Sequence, residues 1–299
     1  MTIRYPAAIG FYPFEPSELK KCIEDCFLSK YGPQEIPQIK NEYLKKVIGG
    51  IVPHAGYIYS GPVAAHFYSY LFKDGIFDTA ILLGPSHTGF VGASIMMEGE
   101  WHTPLGVVKI DEKLANKIIS YCDVLLDAPE AHEGEHSIEV QLPFLQYFLQ
   151  ENFKIVPIVI ATMDYDTCKE VGVALANAVK ETERKVVVIA TTDMTHYGTI
   201  YGYTPVGTSP LTRILKWIYE TDKKVIEKIE KLDAEGLLET VMSEQLTMCG
   251  PGAIATLIEF AKEYGNLEVR TLKYLTSYDI RNDDATAIVG YLASALLRK

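Results

Sequence analysis

Three histidines of this 299-residue chain follow apolar runs that are typical of buried strands. His54 and His87 come just after the runs 47–52 and 79–84, each behind a proline, and His196 follows a third such run by a few positions. Continuous apolar runs indicate strands that are covered on both faces. In open α/β sheets, ligands bind beyond the carboxyl ends of the strands. We therefore expect the three imidazoles to meet at one edge of a parallel sheet.

A carboxylate and a thiol lie close to predicted element ends as well. Asp193 precedes His196 by three residues, and Cys249 stands just before a predicted helix at 252–264. The positive end of a helix dipole lowers the pKa of a nearby thiol, so Cys249 is predicted to be a thiolate. Small packing residues also occupy such turns, and that alternative stays open.

His136 and Glu139 are further candidates. They are three residues apart in a segment, 135–145, that is predicted to begin a helix, and this spacing places them on one helix face. Pro143 is expected to disturb the first turns of that helix. A helix-start histidine with a first-turn glutamate explains the same pattern without any catalytic role.

These residue types allow a mononuclear metal site. Two neutral imidazoles and one anionic ligand leave coordination positions open. A carboxylate as the third ligand favours Fe(II), whereas a thiolate favours Zn or Cu and still accepts iron. Asp193 and His196 would then serve as an acid/base pair in which the carboxylate orients the imidazole.

Two other chemistries use the same residues. Cys249 with a His–Asp pair could form a nucleophilic triad, as in a hydrolase. Ser86 is a weaker nucleophile candidate, because its surroundings lack the last glycine of the Gly-x-Ser-x-Gly elbow. Alternatively, the cavity binds a ligand or peptide without catalysis, and aromatic rings form its walls. The candidate rings are Tyr57, Tyr59, Tyr197, Tyr201 and Tyr203.

Strands and helices alternate along the chain in the manner of an α/β fold. Strands are predicted at 47–52, 79–84, 155–160 and 185–190, and strand-like runs at 269–278 and 285–292. Helices are predicted at 17–30, 62–73, 111–121, 165–181, 211–220, 222–231, 233–243 and 252–264. The loop 199–210 is long enough for a lid. We expect one domain over residues 1–299 with a mainly parallel central sheet.

The composition of the chain limits which binding partners and which cellular compartment we expect. The formal net charge of -11 disfavours nucleic acid, because phosphate binding needs a basic face. Prolines interrupt the N-terminal apolar residues, and no apolar run reaches the roughly 18 residues of a membrane span. The five cysteines are dispersed and odd in number, which indicates a reduced, cytoplasmic protein. Dinucleotide and phosphate-loop glycine motifs are absent from the sequence.

Five short motifs, taken together and in order, resemble the Memo family over nearly the whole chain. They are Pro53-His54-Ala55-Gly56-Tyr57, Gly84-Pro85-Ser86-His87, Glu135-His136-Ser137-Ile138-Glu139, Asp193-x-x-His196 and Cys249-Gly250. The resemblance implies the fold of class III extradiol dioxygenases, a three-layer sandwich around a mostly parallel sheet. By the same resemblance, His54 and His87 match the two histidine metal ligands, Cys249 stands where those enzymes carry a glutamate, and His196 takes the acid/base role.

The resemblance also implies a cofactor and partners. It favours Fe(II), with Cu or Zn as alternatives, and metal-dependent oxidoreduction of a small or peptidyl substrate. Prokaryotic members resemble one component of the AmmeMemoRadiSam system, which makes a radical-SAM protein a candidate partner. Eukaryotic members are described as adaptors that bind phosphotyrosine peptides and as iron or copper binders, so a non-catalytic binding module is the alternative.

Overall fold

A computed structural model describes residues 2–282 and 286–299 of the chain, and its strands in these ranges join one twelve-stranded sheet. The strands are β1 (Ile3–Arg4), β2 (Val47–Val52), β3 (Thr79–Gly84), β4 (Gly92–Ile95), β5 (Glu100–Thr103), β6 (Gly106–Ile110), β7 (Leu125–Asp127), β8 (Lys154–Ala161), β9 (Val186–Thr191), β10 (Asp193–Tyr197), β11 (Leu267–Thr276) and β12 (Ile288–Arg298).

Helices cover the sheet on both sides. Within the described residues they are α1 (Pro16–Leu28), α2 (Tyr57–Asp74), α3 (Glu112–Ile119), α4 (Leu142–Leu149), α5 (Tyr165–Lys180), α6 (Leu211–Glu230), α7 (Ala234–Ser243), α8 (Pro251–Tyr264) and α9 (Ser277–Arg281). Short 3₁₀ turns lie at Pro129–His132, Glu139–Gln141 and Thr199–Tyr201.

The centre of the sheet is parallel. Its main order is β1-β5-β6-β8-β3-β9-β2-β12-β10, and the neighbours β8, β3, β9 and β2 all run in one direction. β2 and β3 are buried along their whole length, as apolar strands covered on both faces should be. β12 pairs antiparallel with both β2 and β10. The predicted α/β fold with a central, mostly parallel sheet flanked by helices is confirmed.

Two large apolar cores, one on each face of the sheet, give the molecule three layers. Helices α1, α2 and α4 contribute to one core, and α3, α5, α6, α7 and α8 contribute to the other. This sandwich fixes the carboxyl ends of β2, β3 and β9 side by side. The single-domain organisation over residues 1–299 stays a prediction, and within the described residues no helix is long and apolar enough to cross a membrane.

Several predicted boundaries differ from the structure for local reasons. α2 begins at Tyr57 and not at residue 62, because Gly56 O accepts hydrogen bonds from Tyr59 and Ser60 and starts the helix directly after the His54 turn. The predicted helices 211–220 and 222–231 form one continuous α6, since no residue between them breaks it.

Two further differences affect the candidate site. Residues 135–138 do not start a helix; α4 begins at Leu142, and Pro143 lies in its first turn, where no backbone N–H is needed. The kink expected at Pro143 is therefore absent. β10 was not predicted, and the last predicted strand begins at Ala285, which lies outside the described residues.

Candidate metal centre

A cavity of about 870 Å³ opens at the carboxyl ends of β2, β3 and β9. Six of the residues singled out from the sequence line it: His54, His87, His136, Asp193, His196 and Cys249. The turns after β2 and β3 supply the first two, β10 supplies Asp193 and His196, and the turn before α8 supplies Cys249. The sheet thus brings residues that are far apart in the sequence to one place.

His54, His87 and His136 form the tightest group in this cavity. Each ring offers one nitrogen, and these nitrogens all lie within 4.8 Å of one another. His54 is buried, whereas His87 and His136 face the cavity. The Nε2 atom of His54 is buried and has no hydrogen-bond partner among residues 2–282 and 286–299. Because buried polar atoms are almost always partnered, this nitrogen fits an ion that the group can hold.

Glu135 fixes the tautomer of His87. Burial alone would raise the pKa of Glu135, but hydrogen bonds from the ring and the backbone of His87 lower it to about 2. Its carboxylate therefore only accepts hydrogen bonds, and its Oε1 atom lies 3.0 Å from His87 Nδ1. The ring proton must be on Nδ1, which leaves the Nε2 lone pair of His87 free for an ion.

The other two rings of the group are held neutral. Burial lowers the pKa of His54 well below its usual value, and the neighbouring His87 and His136 lower it further. Burial and His87 also lower the pKa of His136 to about 4. His54 Nδ1 lies 3.0 Å from Thr191 Oγ1, which orients the ring. Neutral imidazole is the form that binds metals.

Cys249 and His196 form a second pair that lines the same cavity. Cys249 Sγ lies 3.6 Å from His196 Nε2. His196 Nδ1 lies 3.0 Å from the carbonyl oxygens of both Met194 and Thr247. Since carbonyls only accept, Nδ1 carries the proton and Nε2 faces the thiol.

Asp193 does not orient His196, in contrast to the prediction from the sequence. Its Oδ1 atom accepts the backbone N–H of His54 at 2.9 Å, and two backbone carbonyls orient His196 instead. Residues three apart on a regular strand point to opposite faces. The register shift between Asp193 and His196 in β10 turns both side chains into the cavity.

The expected lowering of the Cys249 pKa is also wrong. Cys249 does precede α8, but burial raises the pKa of its thiol well above the usual value, and the Asp193 carboxylate raises it further. Burial at this position therefore favours the protonated thiol.

The family model for Memo-like protein matches residues 4–295 of the chain. This chain belongs to the Memo-like family. A MEMO1 family protein of Methanopyrus kandleri is 43% identical to it over 99% of both chains. Related MEMO1 family proteins of Methanothermobacter thermautotrophicus and Saccharolobus islandicus are 40% and 42% identical, over 97% of this chain and 98% of their own. The resemblance inferred from the five motifs is confirmed.

In this Memo-like chain, Glu139 is a structural residue and does not line the cavity. Its carboxylate accepts hydrogen bonds from Arg4, Tyr12 and the backbone N–H groups of Ala7 and Ala8. The predicted shared helix face with His136 is wrong, because the two residues do not lie on one helix. Through these hydrogen bonds, Glu139 instead holds the N-terminal segment 4–12 next to the site.

The hydrogen bonds of Glu139 position an aromatic residue that the sequence did not reveal. Phe11, in the N-terminal segment, packs on His136 with ring centroids 4.2 Å apart. Of the predicted wall tyrosines, Tyr59 and Tyr201 line the cavity. Tyr57 and Tyr197 instead donate hydrogen bonds to the carbonyls of Val140 and Gly207, and Tyr203 packs against Trp217. Ser86 does not line the cavity; its hydroxyl accepts the N–H groups of Thr88 and Phe90.

Proposed function

We propose that this Memo-like protein binds one metal ion through His54 and His87. The observation that carries the proposal is the buried Nε2 of His54, which has no hydrogen-bond partner in the part of the chain that the structure describes and lies beside two other imidazole nitrogens. The carboxylate–histidine pair of Glu135 and His87 supports it, because metal-bound histidines usually donate their second N–H in this way.

We propose Cys249 as the third ligand, as the family resemblance implies. A coordinating thiol loses its proton to the ion, so the raised pKa of the metal-free thiol does not oppose this role. His136 lies in the group of three nitrogens and is the competing third ligand. If Cys249 binds the ion, His136 remains in the cavity as a hydrogen-bonding or acid/base group for the substrate.

The function that we propose is metal-dependent oxidoreduction of a small or peptidyl substrate. Bound iron, our first choice, or copper would supply Lewis acidity and one-electron chemistry, whereas zinc would supply Lewis acidity alone. His196 is the proposed acid/base: its Nδ1–H is fixed by two carbonyls, so its Nε2 can take up or release a proton in the cavity. Asp193 holds the backbone of His54 in place.

The partner and the compartment are proposals of the same kind. The family resemblance supports a radical-SAM protein as partner, and the dispersed, unpaired cysteines support a cytoplasmic location.

Two alternatives remain distinct from this proposal. The 3.6 Å contact between Cys249 and His196 favours a cysteine hydrolase, although the raised thiol pKa opposes it. Such a hydrolase would be inactivated by iodoacetamide and indifferent to chelators. A non-catalytic adaptor would keep its ligand after loss of Asp193 and His196.

Elemental analysis of protein purified without oxygen or chelator tests the proposal. Near-stoichiometric iron or copper is expected in the wild type and is expected to be lost in the double variant His54→Ala with His87→Ala. His66→Ala is the matched control, because this histidine lies on α2 and bonds the carbonyl of Tyr31, away from the cavity. Metal that persists in the double variant would refute the site, and Cys249→Ser beside His136→Ala would identify the third ligand.

A further inference from the structure

Tyr291 is a buried tyrosine whose hydroxyl has no hydrogen-bond partner among the described residues. Its side chain lines the cavity and is only 2% exposed. It lies on β12, directly opposite Asp193 of β10. Nothing in the sequence marks it, since it reads as one more aromatic residue in an apolar C-terminal strand.

Other tyrosines that pack into the protein interior use their hydroxyls. Tyr57 and Tyr68 donate to Val140 O at 2.6 Å and Gln141 Oε1 at 2.8 Å. Tyr274 donates to a carboxylate oxygen of Asp222 at 2.5 Å. The Tyr291 hydroxyl is not one of the fully buried atoms without a partner, and since its side chain lines the cavity, a ligand there can reach it. Within the described residues, the Tyr291 hydroxyl therefore lacks the hydrogen bond that the comparable tyrosines make.

The surroundings of the Tyr291 hydroxyl keep it protonated. Burial raises its pKa well above the usual value, and negative charge on Asp193 and Cys249 would raise it further. The hydroxyl therefore keeps its proton near neutral pH and can donate a hydrogen bond to an acceptor. No lysine or arginine belongs to the described lining of the cavity, so a free phosphate group would find no side-chain cation there.

We propose that Tyr291 is a ligand-binding residue whose hydroxyl donates a hydrogen bond to an acceptor atom of the molecule that occupies the cavity. The inference rests on the proposed metal centre, which would hold the same molecule from its other side. The ligand class that fits is one with an uncharged oxygen acceptor, such as a hydroxyl or a carbonyl group, or an acceptor whose charge the ion neutralises.

Azide bound to the Co(II)-loaded protein is a suitable probe. One terminal nitrogen of azide binds the ion, and the other can accept a hydrogen bond. The infrared stretching frequency of azide reports such a bond directly. In Tyr291→Phe, which keeps the ring, we expect azide to bind about tenfold more weakly. We also expect its stretching band to shift. Tyr197→Phe is the control, because that hydroxyl is already bonded to the carbonyl of Gly207.

The outcomes separate the two proposals. If Co(II) does not bind the wild type, the metal centre itself is refuted. If Co(II) binds and Tyr291→Phe leaves both the azide affinity and the infrared band unchanged, only the role of Tyr291 is refuted. Failure of azide to bind the Co(II)-loaded wild type would also contradict it, because the inference needs an accessible position beside the hydroxyl. Thermal unfolding and Co(II) affinity of Tyr291→Phe show that its fold and metal site are intact.

Discussion

Replacing Glu135 with glutamine should weaken metal binding without removing any proposed ligand. The Glu135 carboxylate accepts the ring Nδ1–H of His87 at 3.0 Å and the Ser137 N–H at 2.9 Å, and it also accepts the backbone N–H of His87. It therefore decides both the tautomer and the orientation of His87. A glutamine amide keeps one acceptor oxygen but turns its NH₂ group toward at least one of these donors.

The size of the effect follows from this contact. Losing an outer-shell carboxylate typically costs about 10- to 100-fold in metal affinity, which corresponds to about 1.4–2.7 kcal/mol of binding free energy. The misplaced amide should also lower the free energy of unfolding of the metal-free protein by about 1–3 kcal/mol, since a buried donor is left facing another donor.

The assay is competition for Co(II) or Zn(II) against a chromophoric chelator under conditions where both proteins are folded. Glu133→Gln is the matched control: it removes the same charge two residues earlier, from an exposed position. We expect the control to bind metal within about twofold of the wild type, because exposed charges are screened by salt. Equal affinity of Glu135→Gln and the wild type would refute the reasoning, since His87 would then not need its orientation or would not be a ligand.

Three further predictions concern titration. Burial raises the pKa of Asp222 to about 6, so the folded state binds the proton more tightly than the unfolded chain and stability falls as the pH rises from about 4 to 6. Urea unfolding at pH 4 and 7 should show that the wild type loses about 3 kcal/mol of unfolding free energy over this range and that Asp222→Asn does not. The same loss in both proteins would contradict this prediction. Burial lowers the pKa of His132 to about 3, so stability should fall as the pH drops below about 6.5. The unfolding free energy of His132→Gln should decrease less in acid than that of the wild type. An equal decrease in both proteins would count against the prediction. The raised pKa of Cys249 predicts that iodoacetamide alkylates the metal-free thiol slowly near neutral pH and faster in alkali, as mass spectrometry would show; rapid alkylation at pH 7 would contradict this.

The sequence allowed the strand ends of the site to be predicted because local patterns encode them. An apolar run that stops at a proline marks the end of a buried strand, and this is enough to place His54 and His87. The order of strands in the sheet is not a local property. For this reason neither the position of β12 beside β2 nor the arrival of Tyr291 in the cavity could be predicted.

The electrostatic roles of the site residues were the feature that the sequence predicted least well. The helix that follows Cys249 is visible in the sequence, but the burial that raises the pKa of its thiol depends on the whole fold. Likewise, the spacing of Asp193 and His196 suggests a pair, whereas a bulge and two backbone carbonyls determine where the imidazole points. Glu135 was seen only as part of a motif, because its contact with His87 bridges 48 residues of chain.

The position of β12 has a consequence for the biosynthesis of the protein. This strand is translated after the eleven other described strands, yet it lies between β2 and β10 and lines the cavity. A nascent chain on the ribosome exposes His54 and His87 long before residues 288–298 emerge. During that interval the rings are present, but the wall that carries Tyr291 is missing. We therefore expect metal to be loaded into a finished centre only after β12 has emerged, and a fragment that stops before β12 to bind metal weakly and without selectivity.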